Sequence, residues 1–195
     1  MRKLIVEEWV SLDGYMADKN GQLDFFTHLT PEQNTFSDTH QVKFMETVDT
    51  ILLGRKTYEL FVDFWPSATI DQEVMADKIN ETKKIVFTNT LTKAPWGEWA
   101  DAQIMVGEAI EAIKKLKLLP GKNMVLWGSI SLAQALMKED LIDEYHIQLC
   151  PVLTAGGRSL FNQQINPSQL NLIEVRHYPS GAVFLNYQPA TPSIA

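Results

Sequence analysis

The 195-residue sequence contains a single cysteine, Cys150. An intrachain disulfide is therefore excluded, which fits a reducing compartment and predicts a cytoplasmic protein. The setting of that cysteine, "YHIQLCP", reads as a buried strand end, so the thiol is expected to be structural rather than nucleophilic. Long apolar runs are missing too. No stretch is long enough to span a bilayer, and Glu7 and Glu8 break the apolar run of "MRKLIVEEWV", which predicts no secretory leader. Cations are in deficit, with 17 Lys and Arg against 24 Asp and Glu and a net charge of -7. Bulk attraction to nucleic acid or to an anionic membrane is disfavoured on that balance. Any anion this protein binds must be held by a local site. The four histidines, His28, His40, His146 and His177, are scattered without ligand spacing, so no metal is expected. Neither G-x-G-x-x-G nor the G-x-x-x-x-G-K-S/T phosphate loop occurs, and there is no repeat or low-complexity segment.

What is present reads as one globular domain over residues 1–188 with a frayed tail at 189–195. Apolar residues make up 45% and charged residues 21%, an ordinary globular balance. Residues 3–12, "KLIVEEWVSL", read as a first strand, followed by turn signals at Asp13-Gly14 and Asn20-Gly21. From Pro31 to Val48 the apolar spacing is helical, with Thr30 as N-cap. Strands and helices then alternate. "TILLG" leads into the helix "RKTYELFVDFW", "KKIVFTN" is a strand, "AQIMVG" leads into "EAIEAIKKLKLL", and "KNMVLWG" leads into "SISLAQALMKED". Apolar strands joined by helices predict an α/β fold with a parallel sheet covered on both faces. The C-terminal strands "IDEYHIQLCPVL", "NLIEVRHY" and "AVFLNYQ" lack intervening helices and are expected to extend the sheet antiparallel, with "PSG" as a hairpin turn.

Ligands of open parallel sheets bind beyond the carboxyl ends of the strands. Three such ends share a theme. In "LLGRKT", Gly54 allows a tight turn into a helix N-terminus, where free N–H groups suit a phosphate, and Arg55, Lys56 and Thr57 add charge and a hydroxyl. In "VFTNT", Thr88 and Asn89 are small hydrogen-bonding residues. In "VLWGSISLA", Gly128 and Ser129 again join a strand to a helix. Singly, each is an ordinary turn. Together they predict a site for an elongated anionic ligand such as a dinucleotide.

The order strand, "SLDGYMA", helix, "LLGRKTYE", "VFTNT" and "LWGSISLAQALMKEDLIDEYHIQLCPVLTAGGRSLF" resembles the dihydrofolate-reductase-like superfamily. Within it, the sequence is most similar to the reductase domain of the bacterial bifunctional riboflavin-biosynthesis deaminase–reductase. The resemblance covers almost the whole chain. It implies a three-layer α/β/α sandwich and NADPH as hydride donor to a small-molecule substrate. Gly54 to Thr57 would hold the adenosine 2′-phosphate and pyrophosphate region, with Thr88 and Asn89 beside the ribose phosphate. Gly128, Ser129, Ile130 and Ser131 would face the pyrophosphate. Val10, Met16 and Ala17 would flank the nicotinamide, and "TAGGR", Thr154 to Arg158, would close one side of the cleft, with Thr154 and Gly156 near the substrate. The cations at the first strand end favour NADPH over NADH.

Hydride reduction also needs a managed proton, which directs attention to carboxylates. Glu8 interrupts an apolar strand, and one of Glu7 and Glu8 must point inward or toward the cleft. Asp13 sits in the "LDG" turn, where it can equally bond its own backbone. Asp38 lies on the helix before "ILLG", roughly where dihydrofolate reductases carry their pterin-binding acid. The residues around Asp38 do not match that motif, and the Pro-Trp element of those enzymes is missing, so folate is disfavoured as the main substrate. The aromatics Trp9, Tyr58, Phe61, Phe64, Trp65 and Trp127 could stack a flat heterocycle, and Trp65 is the one expected to line the cleft. The sequence thus predicts an NADPH-dependent reductase, with 5-amino-6-(5-phosphoribosylamino)uracil reduction as the reference reaction. Its alternatives are a non-catalytic NADP(H)-binding protein and a pterin reductase. A twofold homodimer through the C-terminal part is a further expectation.

Overall fold

Short Val, Ile and Leu runs become the inner strands of one sheet, because a strand buried on both faces needs no alternation. The computed structural model describes residues 1–23, 39–162 and 168–190. The strands are β1 (Leu4–Ser11), β2 (Tyr15–Ala17), β3 (Val48–Gly54), β4 (Lys83–Phe87), β5 (Gln103–Met105), β6 (Asn123–Trp127), β7 (Glu144–Cys150), β8 (Arg158–Ser159), β9 (Leu170–His177) and β10 (Val183–Pro189). The helices are α1, described over 39–45, then α2 (Arg55–Val62), α3 (Ala76–Glu81), α4 (Ala109–Leu118) and α5 (Ile130–Lys138). The main sheet has eight strands in the order β5-β4-β3-β6-β1-β7-β10-β9. Only β10 runs against the others.

Pleating sends alternate residues to opposite layers. Leu52, Ile85, Met124 and Leu126 pack with Ile113 of α4 and Ala133 and Leu136 of α5. Ile51, Leu53, Val86 and Val125 pack on the other face with Met45 of α1, Tyr58 of α2 and Ile79 of α3. The expected three-layer α/β/α sandwich is therefore observed. Cys150 is buried at the end of β7, and burial pushes its thiol up to about 12. Among the described residues, no helix is long and apolar enough to cross a membrane.

Several boundaries differ from expectation. The strand expected to open an antiparallel extension, β7, pairs parallel with β1 from Ile5–Glu144 to Ser11–Cys150. The chain returns through α5, and such a crossover permits parallel pairing. Val48, expected to close a helix, opens β3 opposite Asn123. The described part of α1 gives way to a turn in which Glu46 and Thr47 donate back to Lys43 and Phe44. The helix expected through Trp65 ends at Val62, and Trp65–Ser67 forms a 3₁₀ turn whose Pro66 has no N–H to continue an α-helix. The sequence reading missed α3 and the ribbon of β2 with β8. Strand β10 reaches Pro189, one residue past the expected domain end.

The strands' N-terminal ends are tied by Arg2. Its guanidinium pairs with Asp49 and donates to Thr50 Oγ1 at 2.7 Å and to the Lys122 carbonyl at 2.7 Å, while Asp49 Oδ2 accepts from Lys122 N at 2.7 Å. The Arg2 side chain is 7% exposed and that of Asp49 is 37% exposed, so water screens part of this pair. Replacing Arg2 with Met should lower unfolding stability by about 2 kcal/mol, less than for a fully buried pair. Urea denaturation with an unchanged m-value is the measurement.

Candidate functional site

A cleft of about 1040 Å³ lies across the carboxyl ends of β1, β3, β4 and β6. Its centre is the meeting of two strand-to-helix turns. Gly54 N–H donates to Ser129 Oγ at 2.6 Å, and Ser129 N–H donates to Thr57 Oγ1 at 2.9 Å. The two hydroxyls are 3.0 Å apart, and Ser129 Oγ also lies 3.1 Å from the Trp127 carbonyl oxygen. The turn requires two consecutive left-handed residues, Gly128 at φ 56° and Ser129 at φ 58°. A Cβ on residue 128 would stand 2.8 Å from both Thr57 Oγ1 and Thr57 Cγ2, so only glycine fits there. Ser129 holds a conformation disfavoured for L-residues because its hydrogen bonds determine it.

Thr57 and Ser129 were expected as hydroxyl donors for a ligand, whereas in the structure they bond one another. The open donors are the first backbone N–H groups of α2 and α5, since neither helix has a side-chain cap. Ile130 and Ser131, the first residues of α5, line the cleft with Arg55 and Lys56. Arg55 Nη1 binds both carboxylate oxygens of Glu59, at 2.6 and 2.9 Å, on a half-exposed surface. Lys56 has no ion-pair partner among the described residues and is exposed.

At the next strand end, Thr88 Oγ1 accepts from Thr90 N and Leu91 N at 3.1 and 3.2 Å. Asn89 Oδ1 accepts from Gly107 N at 2.9 Å, which leaves its amide NH₂ for other partners. Met16, Ala17 and Trp65 line the cleft as expected. Trp65 is held by Asn80, whose Nδ2 donates to the Trp65 carbonyl at 2.8 Å and whose Oδ1 accepts from the buried Trp96 indole at 2.7 Å. Val10 does not reach the lining. It is buried with Val6 and Leu136 in the core beneath α4 and α5. Tyr58 is also core, its hydroxyl donating to the Pro95 carbonyl at 2.7 Å.

Asp13, Thr154 and Gly156 stand outside the lining. Asp13 takes its turn role: it accepts from Ser11 Oγ at 2.7 Å, Thr154 N at 3.1 Å and Ala155 N at 2.8 Å. The Ser11 bond leads these in holding its carboxyl below the usual range. The bonds fasten the 154–158 loop to the first strand's exit. The loop presents Arg158 to the cleft, because Gly157 packs where a Cβ would stand 2.0 Å from the Ala17 carbonyl oxygen. Asp38 lies outside the described residues.

Two adjacent carboxyls form the floor. Glu8 Oε2 accepts from Gly128 N at 3.0 Å, and its Oε1 has no partner among the described residues. Burial raises its pKa well above the ordinary 4.5, and the neighbouring Glu7 adds to the rise. Glu7 faces the opposite layer, accepting from Gln41 Nε2 at 3.0 Å and Trp127 Nε1 at 3.1 Å. Burial raises it as well. The pattern of β1 predicts that one of the pair turns to the cleft, and both line it. Glu7 could have been found from the doubled Glu in an apolar strand. Gln41 carried no such signal, whereas Arg158 ends the "TAGGR" segment that the resemblance sets at one side of the cleft.

Because Glu8 titrates above 4.5 when folded, the native state keeps a proton that the unfolded chain loses. Its ionisation therefore costs stability increasingly as pH rises above 4.5 and costs nothing below it. Glu8→Gln keeps the acceptor for Gly128. It should match the wild type in acid and melt at a higher temperature from neutral to mildly alkaline pH, as read by scanning calorimetry.

Comparison with known proteins agrees with this architecture. A Bacillus subtilis protein, YyaP, itself uncharacterised, is 32% identical over 192 residues, spanning 95% of this chain and 94% of its own. A crystal structure of a putative riboflavin biosynthesis protein from Shewanella sp. PV-4 superposes with a TM-score of 0.77 at 29% identity, covering 97% of this chain and 99% of that one. A dihydrofolate reductase from Enterococcus faecalis, solved with NADP(H), shares the fold at a TM-score of 0.62 and 16% identity, covering 97% of both chains. The family model described as the RibD C-terminal domain matches residues 2–184. The chain belongs to the RibD C-terminal domain family, a family of reductase domains with a dihydrofolate-reductase-like fold.

Proposed function

We propose that this protein is an NADPH-dependent reductase that delivers hydride to a small heterocyclic or carbonyl/imine compound. The reference substrate is 5-amino-6-(5-phosphoribosylamino)uracil. The observation that carries this reading is the pair of uncapped helix N-termini, α2 and α5, held side by side by the Gly54, Thr57 and Ser129 bonds at one wall of the cleft. Adjacent N–H arrays with aligned dipoles suit a diphosphate. The cleft volume of about 1040 Å³ lies at the top of the range for small-molecule sites, which supports a long ligand and a second molecule beside it.

The residues fit the cofactor in a definite order. Lys56, exposed and without an ion-pair partner among the described residues, is the charge partner for a 2′-phosphate, and Arg55 adds the donors that Glu59 leaves open. Asn89 offers its amide NH₂ beside Thr88. Ile130 and Ser131 offer backbone N–H groups to the diphosphate, and Met16 and Ala17 add apolar lining for the nicotinamide. When bound, the cofactor supplies the hydride. This chain orients it, excludes water with Phe61, Trp65 and Trp127, and keeps buried carboxyls nearby.

Titration with NADPH should quench tryptophan emission and raise the melting temperature. Absence of both would overturn the assignment. Lys56→Ala should weaken NADPH binding about tenfold, the worth of one charged contact, and leave NADH nearly unchanged. Arg55→Ala should weaken it less, because Glu59 already occupies part of that guanidinium. Equal losses for NADPH and NADH would rule out the 2′-phosphate role. NADPH oxidation with the reference pyrimidine tests the substrate.

A further inference from the structure

Behind the cleft floor, the face of the sheet beneath α1 carries a row of polar side chains where an apolar face would be expected. Glu7 is 3% exposed. Across the β1–β7 pairing it stands in register with His146, on the same face, where neighbouring strands lie about 4.8 Å apart. His146 Nε2 lies 3.2 Å from Glu144 Oε2. The imidazole is walled by the rings of Phe44 and Phe184, with centroids at 4.9 and 5.2 Å. Glu144 Oε1 binds Lys3 Nζ at 2.5 Å, and the Lys3 side chain is 50% exposed. The row therefore leads from the cleft to solvent at the opposite end of the sheet.

Resting on the reductase reading, we propose that Glu7 donates the proton that accompanies hydride transfer, and that His146, oriented by Glu144, returns a proton to Glu7 from behind the sheet. Buried polar groups are costly unless they are bonded or used. Here strand register sets a carboxyl at the cleft beside an imidazole, which in turn meets a carboxylate. Glu144 is held down to about 2, first by its bond to His146, so an anionic carboxylate stands against the ring. Burial raises the Glu7 pKa above the ordinary 4.5, the direction that suits a donor. Once that proton leaves, the carboxylate keeps its bonds from Gln41 and Trp127 and gains the attraction of His146. Other titratable groups face this row. Glu8 lies on the far side of β1, and His40 of α1 and Tyr178 are 3.4 Å apart. Arg176 and Glu174 of β9 act on both His40 and Tyr178.

The bound cofactor would supply the hydride that forms the new C–H bond on the substrate and would itself be oxidised by two electrons. The Glu7 O–H bond breaks, and its proton joins the adjacent substrate nitrogen or oxygen. The Glu7 carboxylate then takes a proton from His146, which regains one from solvent beside Glu144 and Lys3. With cofactor and substrate filling the mouth, this back route supplies the proton from the other side.

The test compares the wild type with Glu7→Gln, His146→Gln and Glu144→Gln. In the NADP⁺ complex, NMR of carboxyl-labelled glutamate and of the His146 ring should show Glu7 and His146 sharing a titration step. Glu7→Gln should remove that step from His146 while leaving the Kd for NADPH unchanged. With the reference pyrimidine, Glu7→Gln should slow the first turnover on the order of 100-fold. His146→Gln should leave the first turnover intact and slow steady-state turnover by about tenfold or more, with added imidazole restoring it. Glu144→Gln should act in the same sense as His146→Gln, more weakly. Independent titration of Glu7 and His146 would overturn the relay, as would equal slowing of first and later turnovers in His146→Gln. Normal turnover in Glu7→Gln would overturn the donor. If the wild type fails to oxidise NADPH with this pyrimidine, the substrate assignment fails and the NMR arm decides the relay. If NADPH does not bind, the reductase reading fails and the same titration of the free protein decides it.

Discussion

Two strand-to-helix turns meet within one hydrogen bond of each other, and the functional face of this protein depends on that contact. Ser129 accepts from Gly54 N and donates its own N–H to Thr57, so the turn after β6 is fixed to the turn after β3. Parallel pairing alone would bring these strand ends together, since β3 and β6 are neighbours. It would not set the angle at which α2 and α5 leave the sheet. The hydroxyl bridge does, and it requires Gly128 and Ser129 to adopt left-handed backbone conformations. Such strain persists where several bonds determine it together, and it is characteristic of ligand-binding turns.

The electrostatics of the site follow from a contrast of scale. The protein is acidic overall, with a net charge of -7, yet the two helix N-termini and Lys56 make one positive locality. Glu59 moderates it by pairing with Arg55 one helical turn on. Beneath it lie two carboxyls whose burial makes them poor anions. Carboxyls whose charged form burial disfavours repel an anionic ligand less than ordinary carboxylates would. Ionised carboxylates there would oppose the same ligand.

The polar row behind β1 shows how one strand serves two layers. Val6 and Val10 pack beneath α4 and α5, while Glu7, between them in sequence, turns to the α1 side. Parallel pairing of β1 with β7 sets Glu7 beside His146, and an antiparallel β7 would have changed every partner along that strand. The identity of the buried network is thus a consequence of strand direction.

Much of the fold was legible because it rests on local rules. Apolar runs separated by helical spacing predicted the parallel strands and the layers, and two glycine junctions with one Thr-Asn turn pointed to the three strand ends that line the cleft. Lys56 and Asn89 could be placed there by position alone. Other features escaped because their causes are long-range. The direction of β7, the ribbon of β2 with β8, the inward turn of Thr57 and Ser129, and the use of Asp13 as a loop clasp depend on partners from 72 to 144 residues away. The sequence by itself determined which residues could form strands, helices and anion-binding turns, since propensity and periodicity act over a few residues. Only the tertiary structure decided which hydroxyls would be used internally and that both Glu7 and Glu8 would reach the cleft. Hydrogen-bond pairing and desolvation depend on what lies across the sheet rather than along the chain.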